Sequence, residues 1–243
     1  MGTPGARKAI ESLGQALGSV QRHIRLSGPS GVGKSLVLEY FLQALRSPWV
    51  QIVSVSGNLG ELGVLGQILH AMKGSHSLEC EPDKLWNQIT LALRLAQLQR
   101  KTVVLAIDDA EAISGTCLIP RLSTLCQNPG TAATLIEVIK TPILQGVDLD
   151  PDSLAYLDQT AYSIALRPLT RTDAVFFINT KYSNSSGNPF FSESAVTAIH
   201  HISQGLPRRI DRLAASALRL ASLQKSGEVE ATLVHEVSQI LGA

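Results

Sequence analysis

Two short stretches carry the residues able to do chemistry. GPSGVGKS (28–35) spaces Gly28, Gly33, Lys34 and Ser35 as G-x-x-x-x-G-K-[ST], and TVVLAIDD (102–109) ends in adjacent carboxylates, Asp108 and Asp109, with Glu111 close behind. In the first stretch, glycines let the chain take turn angles that other residues resist, bringing main-chain N–H groups against phosphate oxygens. Lys34 then reaches the β and γ phosphates, and the Ser35 hydroxyl suits magnesium. The expected nucleotide-binding run is Gly28, Pro29, Ser30, Gly31, Val32, Gly33, Lys34 and Ser35.

The second stretch supplies the partner that such a loop demands. An apolar strand ending in acid places Asp108 to hold the metal, directly or through water, and Asp109 where a base orients the attacking water. That second position more often carries glutamate. Aspartate is one methylene shorter, and a misplacement of about 1 Å can cost on the order of a hundredfold in rate. The expected hydrolysis is therefore slow. Glu111 is a weaker substitute, because two positions along the chain it faces differently.

The elements that must position these residues follow from periodicity. TPGARKAIESLGQALGSV spaces Ile10, Leu13, Leu17 and Val20 as an opening helix, HIRLS is a short strand before the loop, and LVLEYFLQAL is helical after it. WVQIVSVS reads as a strand, ELGVLGQILHAM and DKLWNQITLALRLAQLQR as helices, and TVVLAID as the strand of the acids. CLIPRLSTLCQ reads as a helix, TLIEVIKT as a strand ending at Thr141, DSLAYL as a short helix, and YSIALRPL as the last strand.

From Thr170 only helices follow: TRTDAVFFINTKY, SESAVTAIHHIS, PRRIDRLAASALRLASLQ and EATLVHEVSQIL. Strands alternating with helices predict an α/β fold with a parallel sheet covered on both faces. The expected organisation is a nucleotide-binding α/β domain over residues 1–168 and an all-helical lid domain over 169–243.

Composition narrows the class without choosing a partner. With 243 residues, 44% hydrophobic and 17% charged, the chain is globular, and a net charge of +1 gives no global pull toward nucleic acid or membrane. Cys80, Cys117 and Cys126 are odd in number and lack C-x-x-C spacing, which suggests neither a disulfide framework nor a zinc site. The opening MGTPGARKAI has no apolar signal segment and no stretch is apolar enough to span a bilayer, so the expected location is the cytoplasm. His70, His200 and His201 lack acidic or cysteine partners at ligand spacing and read as surface or core histidines. Trp49 and Trp86 read as packing residues.

The phosphate loop, the acid pair and the helical tail together resemble the AAA+ ATPases of the secretion-pathway protein A type, whose relatives include transposition ATPases. The resemblance runs along nearly the whole chain. TPGARKAIESLGQAL is similar to the family's segment before the nucleotide site, LRPLTRTDAVFFI to its junction into the lid, and GNPFFSESAVTAIHHISQGLPRRIDRLAASALRLA to its lid helices. Gly205, Pro207 and Arg208 match a G-x-P-R segment, which implies that Arg208 senses nucleotide from the lid. Thr141 aligns with the family's polar sensor on the strand beside the acids. Without the family, Arg208 and Arg209 read as helix-start surface residues and Thr141 as a strand terminator before Pro142.

Two departures bear on catalysis. The second acid is Asp109, and where the family often has an arginine before its final core strand this chain reads LDQTAYS, with Asp158, Gln159 and Thr160. An arginine finger can supply roughly 10³ to 10⁵ in phosphoryl transfer. Arg121 and Arg167 are candidate replacements.

The resemblance implies an ATPase that uses ATP and magnesium, associates as a homo-oligomer, and couples nucleotide state to a protein partner in secretion or envelope assembly. A non-hydrolysing nucleotide switch is the second reading. The third is a DNA-associated ATPase using Arg208, Arg209, Arg212 and Arg219; near-neutral charge argues against it, and these arginines do not all share one face.

Overall fold

The structure, a computed structural model, describes residues 3–20, 22–73, 81–141, 161–183 and 190–242. Contacts divide the chain into two compact units. One is formed by Lys8–Gly28 with Lys34–Ala165, the other by Met1–Arg7, Pro29–Gly33 and Leu166–Ala243. The changeover after the last strand falls at 165/166, and the second unit also takes in residues 29–33 of the phosphate loop. The helix expected around DSLAYL, and residues 158–160, lie outside the described residues.

The sheet unit follows the alternation of its sequence. Five strands, β1 (His23–Gly28), β2 (Val50–Ser56), β3 (Thr102–Asp108), β4 (Ala133–Lys140) and β5 (Tyr162–Ala165), pair in parallel in the order β2-β3-β4-β1-β5. β3 is buried from Val103 to Ile107, as a strand covered on both faces must be. Helices α2 (Lys34–Ala44), α3 (Gly60–Lys73), α4 (Pro82–Leu98) and α5 (Leu118–Gln127) follow or connect these strands, after the opening α1 (Pro4–Leu17). Val53, Ile68, Ile89, Leu105 and Leu122 share one apolar core of sheet and helices. Two short 3₁₀ turns, Gly57–Leu59 and Ala110–Ile113, carry the chain away from the ends of β2 and β3.

A charged cluster lies inside this unit, between β1, β4 and α5. Glu137 on β4 is 3% exposed and its Oε1 accepts from Arg25 Nε at 2.5 Å, with His23 Nε2 3.1 Å away. His23 Nδ1 lies 3.1 Å from the Ser123 hydroxyl. Burial pushes the Glu137 carboxyl up, but His23 and Arg25 outweigh it and hold the group below the usual glutamate value. Arg25 thus donates to a carboxylate that would otherwise be buried unpaired, and the Ser123 hydroxyl meets His23 Nδ1.

The helical unit contains α6 (Arg171–Lys181), α7 (Glu193–Ser203), α8 (Pro207–Leu223) and α9 (Ala231–Leu241). Its helix starts are explicit. Thr170 accepts from Asp173 N while Asp173 Oδ2 accepts from Thr170 N, a reciprocal cap. Ser192 caps α7 by accepting from Ala195 N, and Pro207 opens α8 where a missing N–H costs nothing. Leu169, Ile178, Phe191, Ile199, Ile210 and Val234 form the core. Gly205, at φ 70°, lies so close to Leu169 that a Cβ would collide with its carbonyl oxygen. Its carbonyl accepts from Leu169 N, tying the turn before α8 to the segment leading into α6.

The tryptophans part company. Trp86 is 5% exposed, as a packing residue should be, but Trp49 is 64% exposed. It precedes β2 in a turn closed by Val50 N donating to Ser47 O, which carries its ring out of the core. Among the described residues, no helix is long and apolar enough to cross a membrane.

Candidate nucleotide site

The phosphate loop begins where β1 ends. Gly28, Gly31 and Gly33 take φ values of 152°, 81° and 104°, a run of backbone angles that side-chain-bearing residues adopt with difficulty. Lys34 opens α2 and is 7% exposed, its Nζ donating to Gly28 O at 2.8 Å. Burial holds its pKa below the usual lysine value, and Lys140 pushes the same way against the attraction of Glu111, Asp108 and Asp109. The Gly28 carbonyl also accepts from Thr141 N at 3.1 Å, which places Thr141 at the foot of the loop, just past β4.

Ser35 and Asp108 line one cleft of about 610 Å³ between α2 and β2, together with Glu39, Arg46, Ile52 and Ser54. Asp108 Oδ1 accepts from Asp109 N at 2.9 Å. Asp109 itself is left-handed, at φ 51° and ψ 41°, and its carboxylate is engaged at both oxygens. Lys140 Nζ lies 2.9 Å from Oδ1, and Asn58 Nδ2 donates to Oδ2 at 2.9 Å. The hydrogen bond from Lys140 is the largest reason that Asp109 stays below the usual aspartate value. Glu111 is bound twice by the same lysine, its Oε1 2.8 Å from Nζ and its Oε2 accepting from Lys140 N at 3.2 Å. Gly57 has no room for a side chain, because a Cβ there would sit 2.5 Å from Asp109 O.

Arg208 starts α8 in the helical unit. Its N–H donates to Gly31 O at 3.2 Å, and a Cβ on Gly31 would meet its Cβ at 3.2 Å, both contacts lying within that unit. Arg121, a candidate finger, stands on α5 with its guanidinium 4.3 Å over the ring of Trp86. His200 Nε2 is 2.9 Å from Leu169 O, a local contact at the start of the helical unit.

A family described as an AAA domain matches residues 17–141, more than half of the chain. The chain belongs to this AAA-domain family. The match runs from the end of α1 through both chemical stretches and stops at Thr141. No curated protein matches the chain significantly. Solved structures share the fold at low identity. A chain of the Drosophila ORC bound to DNA matches with a TM-score of 0.72 at 13% identity, covering 98% of this chain and 60% of its own. The Aeropyrum pernix ORC1 protein in complex with DNA gives 0.67 at 18%, covering 98% and 64%. The Thermotoga maritima RuvB Holliday junction branch migration motor gives 0.60 at 15%, covering 99% and 70%. This AAA-domain chain thus spans less than two thirds of the length of the two ORC chains. Its architecture is the P-loop AAA+ fold, a parallel-sheet core followed by a helical C-terminal region.

Two residues against Asp109 were not singled out from the sequence. Asn58 comes from the 3₁₀ turn after β2 and Lys140 from the end of β4, both distant in the chain from β3. The available signal is general: in a parallel sheet, polar residues at the carboxyl ends of neighbouring strands meet at the ligand crevice.

Proposed function

We propose that the chain binds ATP with Mg²⁺ and hydrolyses it slowly, so that the state of the bound nucleotide governs a partner. The observation that carries this is Lys34, buried at the foot of the glycine loop, with Ser35 and Asp108 lining one cleft beside it. The donor set suits magnesium: one hydroxyl and one carboxylate are hard oxygen ligands that leave most of an octahedron to water and phosphate. When bound, that ion offsets the charge of the β and γ phosphates.

The remaining steps belong to the chain. Loop N–H groups hold phosphate oxygens, and the Lys34 ammonium exchanges the Gly28 carbonyl for phosphate. Asp109 orients the attacking water and Thr141 reads the phosphate end from β4. Arg208 reads the same nucleotide through the loop segment it touches at Gly31. Asp109 is short for its task and is held by two neighbours, which favours a long-lived ATP state.

The proposal extends to self-association, a cytoplasmic location and a protein partner in secretion or envelope assembly, on the resemblance of the G-x-P-R segment and lid helices. ATP-dependent contact with DNA is the second reading. Arg209, Arg212 and Arg219 are exposed on α8, and two of the similar structures are DNA complexes. Salt-sensitive DNA binding that strengthens with ATP would favour it over the protein partner.

ATP turnover over a protein concentration series, beside Asp109→Glu, tests the main reading. Tight ATP binding with slow turnover, raised about tenfold in the variant, about 1.4 kcal/mol of barrier, is the expected result. Fast turnover by the wild type overturns the slow switch, and absence of ATP binding overturns the site.

A further inference from the structure

We infer that the groove between α4 and α5 is a docking site for an acidic amphipathic helix of a partner protein. It rests on the protein-partner reading for its purpose, but it shares no lining residue with the cleft of Ser35 and Asp108.

The groove holds about 540 Å³ and is walled by Trp86, Asn87 and Thr90 of α4 and by Pro120, Arg121 and Thr124 of α5. Arg121 lies with its guanidinium 4.3 Å over the Trp86 ring, a contact that places the cation without neutralising it. Among the described residues no carboxylate pairs with Arg121, nor with Arg94, which stands exposed one turn beyond Thr90 on the same side of α4. The Trp86 N–H is buried and has no acceptor among the described residues. The groove is therefore short of acceptors at both its cation and its ring.

An apolar stripe continues the groove along α4. Leu91, Leu95 and Leu98, at i, i+4 and i+7, share one face next to Asn87 and are 55%, 47% and 81% exposed. The charge around them has one sign. From Leu85 to Lys101 the chain carries Arg94, Arg100 and Lys101 and no acid, and α5 carries Arg121 and no acid. Asp83, the last acid of α4, stands in its first turn, where the helix end favours it. Leucines on successive turns match a partner helix with apolar residues at the same spacing, and the unpaired arginines on their flank match acids beside those residues. Nucleic acid would use the cations and leave the leucines in water, whereas a flat anionic membrane would cover the leucines and leave the groove empty. An acidic helix serves the cations, the leucines and the groove together.

Trp49→Phe leaves Trp86 as the one tryptophan of the chain, so its emission reports the groove. That variant is titrated without nucleotide, which separates failure here from failure of the nucleotide site. The probe is a synthetic helix with leucines at i, i+4 and i+7 and glutamates on both flanks, and its twin carries lysines in place of the glutamates. The expected result is a shift of Trp86 emission and a roughly tenfold higher affinity for the glutamate helix. Arg94→Glu with Arg121→Glu should reverse that preference, and Leu91→Ser with Leu95→Ser should weaken binding roughly tenfold. The comparison of the two helices on otherwise unchanged protein decides the question even where an exchanged variant folds poorly. No binding of either helix, equal affinity for both, or a preference that survives the arginine exchange in folded protein overturns the inference. So does tighter binding of duplex DNA or of phosphatidylserine vesicles that the arginine exchange abolishes, or self-association that the leucine exchange abolishes, since each names a different occupant.

Discussion

Two charge clusters sit three residues apart on β4 and could hardly differ more in kind. Around Glu137, a carboxylate, a guanidinium and an imidazole are packed inside the sheet unit, with Glu137 and His23 at 3% and 2% exposure. Around Lys140, two carboxylates share one ammonium at the strand end, with side chains 47%, 31% and 32% exposed for Lys140, Asp109 and Glu111. The chemistry of the pairs is alike. What separates them is access to water. Taking one partner from a buried pair strands the other without solvent, whereas an exposed pair exchanges a neighbour for water at little cost. A strand can therefore use one cluster to fasten itself to β1 and, a few residues later, carry another whose contacts exchange with water at little cost.

The sharpest way to break this contrast is Glu137→Ala. It should cost about 3–5 kcal/mol of unfolding free energy, read from denaturant midpoints, by removing the buried carboxylate that Arg25 and His23 both face. A loss under about 1 kcal/mol would place both clusters in the same class. Lys34→Ala should do the reverse: nucleotide affinity falls about 100-fold, near 2.7 kcal/mol, with no loss of stability in a thermal melt.

Acid gives the next, smaller test. The folded pKa of Glu137 lies below its ordinary value, so its contribution is present above that value and is lost as pH falls through the depressed one. Midpoints measured from pH 7 to pH 3 should show a drop that flattens in Glu137→Gln. The smallest effect belongs to Lys140→Met, whose unfolding free energy should stay within about 1 kcal/mol of wild type. A larger loss would mean that the open cluster fastens the sheet as well.

The alternation of strands and helices was legible because β-branched runs such as TVVLAID and WVQIVSVS leave few alternatives, and because Thr170, Ser192 and Pro207 mark helix starts by their own chemistry. Loop and acids were legible because their spacing is local. Trp49 was not, since its exposure depends on a turn that pattern reasoning assigned to the strand. Asn58 and Lys140 were hidden for another reason. Each meets Asp109 across strand neighbours, 51 and 31 positions away in the chain, and only the sheet order brings them together.

That sheet order has a consequence for how the chain is born. β1 lies between β4 and β5, and the side chain of Arg25 finds Glu137 112 residues later. At roughly 5–20 residues per second of synthesis, β1 is complete on the order of ten seconds before its first partner strand has been made. During that interval Ile24 and Leu26, fully buried in the finished sheet, have no strand to pair with. Slowing the ribosome between β1 and β4 should lengthen the window in which chaperones can capture this segment, and with it the fraction of nascent chains that aggregate when they are depleted.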